Sequence, residues 1–78
     1  MAYYKYEKFI LYSDSRVFDT IHSPGTEAPA SGIYRCEGCG KEIITHQGNT
    51  LPPQSHHQHG LAEGNIRWRL TVCSQMGI

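Results

Sequence analysis

The chain has 78 residues, with seven Lys and Arg against seven Asp and Glu, so its formal net charge is zero. Only 38% of residues are hydrophobic and 18% charged. That length leaves room for one small domain and excludes a cleft between two large ones. The balanced charge argues against bulk DNA or an acidic membrane as partner. The longest apolar run, Phe9-Ile10-Leu11-Tyr12, is far below the roughly 18 residues of a membrane span and too short for a signal-peptide core. With three cysteines, an odd number, a secreted disulfide framework is not indicated, and the expectation is a cytoplasmic protein with no membrane partner. A chain this short with so little apolar content needs a staple.

Residues 1–22 form the first region. Four of the five tyrosines and both phenylalanines lie here. Tyr4, Tyr6, Ile10 and Tyr12 share one parity, and Phe9 and Leu11 the other. Val17, Asp19 and Ile21 alternate with Phe18 and Thr20. Aromatic and β-branched residues favour strands, with Ser13-Asp14-Ser15 as the turn of a β-hairpin. A helix is the alternative, because Tyr6, Phe9, Ile10 and Val17 also fall on one helical face. The aromatics of this extension suit core packing, a protein contact or base stacking. Residues 23–32, Ser-Pro-Gly-Thr-Glu-Ala-Pro-Ala-Ser-Gly, read as a connector.

Residues 33–72 carry the chemistry. Ile33-Tyr34-Arg35 is a short strand, and Glu42-Ile43-Ile44-Thr45-His46 is a second. Leu51-Pro52-Pro53 is rigid and opens the histidine cluster. In the last strand, Ile66, Trp68, Leu70 and Val72 face one side while Arg67, Arg69 and Thr71 face the other. Trp68 reads as a core residue. Residues 73–78 lack periodicity and are expected to fray. The fold expected is a small, mostly-β, metal-stabilised domain: a three-stranded antiparallel sheet with the N-terminal hairpin attached.

Cys36-Glu37-Gly38-Cys39-Gly40-Lys41 sits between the first two strands of this sheet. Two cysteines three apart at a tight turn can aim both sulfurs at one ion. Gly38 and Gly40 permit positive φ angles there, and turn N–H groups with Lys41 favour thiolate. A structural zinc takes four tetrahedral ligands, and a second pair is expected roughly 12–20 residues on. His56-His57-Gln58-His59 stands at that distance. Cys36, Cys39, His56 and His59 are the leading ligands of one structural Zn²⁺, since His56 and His59 repeat the cysteine spacing. His57 or Cys73 can replace one of the histidines. Adjacent residues of an extended chain point opposite ways, so His56 and His57 do not bind together. Cys73 otherwise reads as a free thiol, His46 as solvent-facing, and His22 as lacking a partner at ligand spacing.

The order Gly-Ile-Tyr-Arg-Cys-x-x-Cys-Gly-Lys, then Leu-Pro-Pro, then Ile-Arg-Trp-Arg-Leu resembles a zinc ribbon over residues 33–72. In that family the Leu-Pro turn commonly carries a second Cys pair. The resemblance implies that histidines between Gln54 and His59 take its place here. Pro24 to Tyr34 also resembles small uncharacterised bacterial proteins of the YjzC-like kind. Neither resemblance implies a reaction, because zinc ribbons serve as nucleic-acid, protein-binding and purely structural modules.

The function expected is therefore a non-enzymatic, zinc-binding protein whose metal supports a protein-interaction surface. Nucleic-acid binding through Arg35, Arg67 and Arg69 ranks second, because residues 33–72 hold four Lys/Arg against three Asp/Glu. An enzyme ranks third. It would use an open-sited zinc served by Glu37, Glu42 or Glu63, or redox chemistry at Cys36 and Cys39. So short a chain builds a deep pocket with difficulty.

Overall fold

The computed structural model describes residues 1–53, 56, 59, 60 and 63–74. Three strands form one antiparallel sheet in the order β2-β1-β3. They are β1 (Gly32–Cys36), β2 (Glu42–Thr45) and β3 (Trp68–Cys73). β1 is central and pairs with β2 from Gly32↔Thr45 to Arg35↔Glu42. On its other side β1 runs from Gly32↔Cys73 to Cys36↔Trp68 against β3. This is the small, mostly-strand, three-stranded architecture expected from the sequence.

The core lies on one face of the sheet. Tyr34 and Cys36 on β1, Trp68 and Leu70 on β3, and Ile66 just before it are all buried. Ala28, Ala30 and Leu51 close over them. They come from loops, and backbone pairing holds those loops together. Ala28 N–H donates to Asn49 C=O at 2.8 Å, Leu51 to Thr26 at 2.8 Å, and Gly25 to Leu51 at 3.0 Å. The connector is thus an ordered flap, and its small residues let it approach the sheet. The Tyr34 hydroxyl fastens it from beneath, donating to Ala30 C=O at 2.7 Å and accepting from Ala30 N–H at 3.3 Å. Burial pushes the Tyr34 phenol up, partly offset by its bond to Ala30. Trp68 Nε1–H donates to Pro52 C=O at 3.1 Å, so the buried indole leaves no orphan donor.

One irregularity changes the face of a predicted core residue. Between Ile33 and Tyr34 the partner on β3 steps from Val72 to Leu70. Thr71 is therefore an extra residue, a β-bulge, and parity inverts beyond it. Val72 sits opposite Ile33 on the outer face and is 38% exposed. The unbroken alternation from Ile66 to Val72 holds only as far as Leu70. β3 also extends through Cys73, which pairs with Gly32; of the tail expected to fray, residues 75–78 lie outside the described residues.

The N-terminal hairpin does not form. In its place stand two single 3-10 turns, Glu7–Phe9 and Arg16–Phe18, so the longer helix is not formed either. Ser15, expected in a hairpin turn, instead caps the second turn by accepting from Val17 N–H at 3.4 Å. The aromatics find local partners: Tyr6 and Phe9 pack edge to face with centroids 6.0 Å apart. The segment joins the sheet at His22, which exchanges two backbone hydrogen bonds with Trp68 at 2.8 and 2.9 Å.

Candidate metal centre

The end of β1 delivers Cys36 into the core, and the chain then turns sharply. Gly40 N–H donates to Cys36 C=O and Cys36 N–H to Lys41 C=O, both at 2.8 Å. Gly40 has φ +81°, which an L side chain rarely adopts. Gly38 has no positive φ and serves differently: it is where the second turn touches the first. A Cβ on Gly38 would lie 2.6 Å from Glu63 O and 2.8 Å from His59 Cε1.

That contact brings His59 to the cysteines. The ligand atoms of Cys36, Cys39 and His59 all lie within 4.8 Å of one another. The Cys36 Sγ to His59 Nε2 distance is 3.4 Å. With Zn–S near 2.3 Å and Zn–N near 2.0 Å, a tetrahedral S–N edge is about 3.5 Å, so the donor set fits that ion. His59 Nδ1–H donates to Gly64 C=O at 2.7 Å, which fixes the tautomer and turns Nε2 toward the sulfurs.

The electrostatics suit a cation. Burial pushes the Cys36 thiol up, but backbone N–H groups of Arg67, Gly38 and Cys39, with the Cys39 thiol, outweigh it and hold Cys36 below its ordinary value. The Gly64 carbonyl raises His59, desolvation opposes it, and Cys36 and Glu63 add to the rise. Glu63 Oε1 also accepts from Gly60 N–H, closing the turn that carries His59.

Of the four leading ligands, the structure brings three together. His56 is placed elsewhere, its ring edge-on to Trp68 with centroids 5.7 Å apart. Three residues on from Pro53, His56 donates its N–H back to Pro53 C=O at 2.9 Å. His57 lies outside the described residues. Cys73 is at the far end of the sheet from Cys36, four β1 residues or about 13 Å away, so it does not complete the set. His46 is exposed, as expected. The sequence marks Glu63 only as a candidate base, whereas in the structure it closes the second turn. The spacing of Gly60 and Gly64 around it was the available signal.

Of Arg35, Arg67 and Arg69, the last two are hydrogen-bonded within the chain. Arg69 donates to Glu37 Oε1 at 2.7 Å and to Phe18 C=O at 2.8 Å. Arg67 donates to Asn65 C=O and Glu63 C=O, both at 3.2 Å. Arg35 lies against Gly40, where a Cβ would meet its Nη2 at 2.8 Å. Among the described residues no helix is long and apolar enough to cross a membrane.

The fold and this site define a small β protein with a Cys2His group able to hold one metal ion. The chain is 45% identical over 60 residues to Protein L of Escherichia coli, covering 77% of this chain and 68% of that one. It belongs to the same family as Protein L. That relative gives no support to the YjzC-like resemblance. No protein-family model and no solved structure matches the chain.

Proposed function

We propose that this is a small, non-enzymatic zinc-binding protein of zinc-ribbon type, in which one structural Zn²⁺ supports a surface for protein contact in the cytoplasm. The observation that carries the reading is the convergence of Cys36, Cys39 and His59 within 4.8 Å. The ion would join the turn after β1 to the turn before β3. Such a cross-link is what a chain with eight buried hydrophobic residues among those described needs. Metal binding at such sites contributes about 10–16 kcal/mol to folding. The reading favours protein over nucleic acid because Arg67 and Arg69 already bind carbonyl and carboxylate oxygens of the chain.

The test is metal content by mass spectrometry, followed by chelation monitored by circular dichroism. One zinc per chain and loss of the strand signal on chelation are expected. A folded, zinc-free chain indifferent to chelator refutes the reading.

A further inference from the structure

Within the arm of residues 1–22, the apolar side chains of residues 9–12 are exposed. Phe9 is 75% exposed, Leu11 91% and Tyr12 92%. Opposite them runs the outer edge of β3. Residues 69–74 form one wall of a groove of about 780 Å³, and residues 9–13 with Phe18 form the other. Consecutive β3 residues of both parities line it, and none from β1 or β2 does. The groove therefore follows the edge of the strand and not a face of the sheet.

Backbone polar groups open into this groove. Trp68 makes its two bonds with His22 on the outer side, while Arg67 C=O accepts from Glu37 N–H at 2.8 Å on the inner side. Inward and outward residues alternate along an antiparallel strand. Leu70, two beyond Trp68, thus turns its N–H and C=O outward. His22–Trp68 is the one bridge to this edge among the described residues. An open edge beside exposed apolar side chains is a template for strand addition.

We propose that a second copy of this chain covers this surface, the arm of each copy lying as a strand in the groove of the other. Three observations select this occupant. First, Ile10, which follows the first 3-10 turn, is already extended at φ −125° and ψ 133°, so pairing can start there. Second, the exposed parts of Tyr6, Phe9, Ile10, Leu11 and Tyr12 total about 700 Å². A standard interface needs about 800 Å² per partner, and in a two-fold exchange each arm is buried once and each groove filled once. Third, the net charge is zero, so two copies meet without mutual repulsion. The inference goes beyond the metal site and does not depend on it, because zinc content and association are measured separately.

The experiment is sedimentation velocity on the full chain as purified with its metal, from about 5 to about 500 µM. A thiol reductant is present throughout, so that Cys73 in the groove wall cannot cross-link copies. The expected species has twice the 8.8 kDa chain mass. Leu11→Asp and Val72→Asp alter the two sides of the contact separately. Each is expected to weaken association at least about 30-fold, with zinc content and circular dichroism unchanged. A wild-type chain that stays monomeric overturns the proposal, and so does a dimer that Leu11→Asp leaves equally tight. A monomer that co-sediments with vesicles of anionic lipid also overturns it, and assigns the arm to a membrane surface.

Discussion

Gly38→Ala isolates the contact on which the metal centre depends. The new methyl would stand 2.6 Å from Glu63 O, 2.8 Å from His59 Cε1 and 3.1 Å from His59 Nδ1. Ordinary contact begins near 3.5 Å, so the second turn must retreat by about 0.9 Å at Glu63 O and about 0.7 Å at His59. Neither neighbour is a flexible side-chain tip. One is a backbone carbonyl, and the other is a ring pinned to Gly64 C=O at 2.7 Å. Metal–ligand distances tolerate about 0.2 Å, so His59 loses its place before Cys36 and Cys39 do. Removal of groups that orient a ligand costs about 10–100-fold in affinity, or about 1.4–2.8 kcal/mol. Competition against a chromogenic zinc chelator reads this directly. Gly48→Ala is the control. Gly48 has φ +88° and nothing within 4 Å of the added methyl, so it loses about 1 kcal/mol of stability to backbone strain without touching the site. Equal zinc affinity in Gly38→Ala and wild type would refute the placement of His59 as a ligand.

Further outcomes follow from the same geometry. His59→Ala is expected to abolish tight zinc binding, whereas His56→Ala keeps it. His56→Ala is expected to cost about 0.5–1.5 kcal/mol through its ring contact with Trp68; chelator competition and urea melts of the two variants separate these roles. Tyr34→Phe removes the hydroxyl that satisfies both polar groups of Ala30, and a loss of about 1–3 kcal/mol is expected in urea unfolding. Zinc must displace the proton of His59, whose pKa lies above its usual value, so affinity falls as pH drops through that raised value. Calorimetry in two buffers of different ionisation enthalpy should show proton release. In the zinc-free chain the sign is opposite. A raised His59 pKa adds stability fully present below the usual imidazole range, and that increment is lost as pH rises through the folded value.

The sheet was legible in the sequence because each strand announces itself locally. Ile33-Tyr34-Arg35, the run from Glu42 and the alternation around Trp68 all carry period-2 patterning. Cys36 and Cys39 were legible because ligand spacing within one turn is a local property. His59 was one of three clustered histidines, and choosing among them requires knowing where the second turn closes. Gly38 decides that through contacts with His59 and Glu63, 21 and 25 residues away in sequence, while Gly64 and Glu63 set the turn itself. The bulge at Thr71 is likewise a property of the strand pair, invisible in β3 alone. The N-terminal hairpin failed for a related reason. Its alternating aromatics describe a strand only if a core face exists to receive them, and the core is filled instead by Ala28, Ala30 and Leu51.

That substitution explains how so thin a core coheres. The flap is built of alanines, which bury little area but let backbone pair with backbone at 2.8 to 3.0 Å. The large side chains, Tyr34 and Trp68, are each used twice: once for buried area and once as hydrogen-bond donors that hold a loop. Cys36 follows the same economy. It is fully buried among these residues, and its sulfur is also the inner donor of the metal group. A metal held there would anchor the second turn to a residue that the core already fixes. Cys39 and His59 are more exposed, so exchange with solvent is expected to begin on their side. Losing the ion would free the second turn first and leave β1 in place. Hydrogen exchange of the zinc-free chain should therefore show early loss of protection at residues 63–67, with the pairing of Tyr34 to Ile43 protected longest.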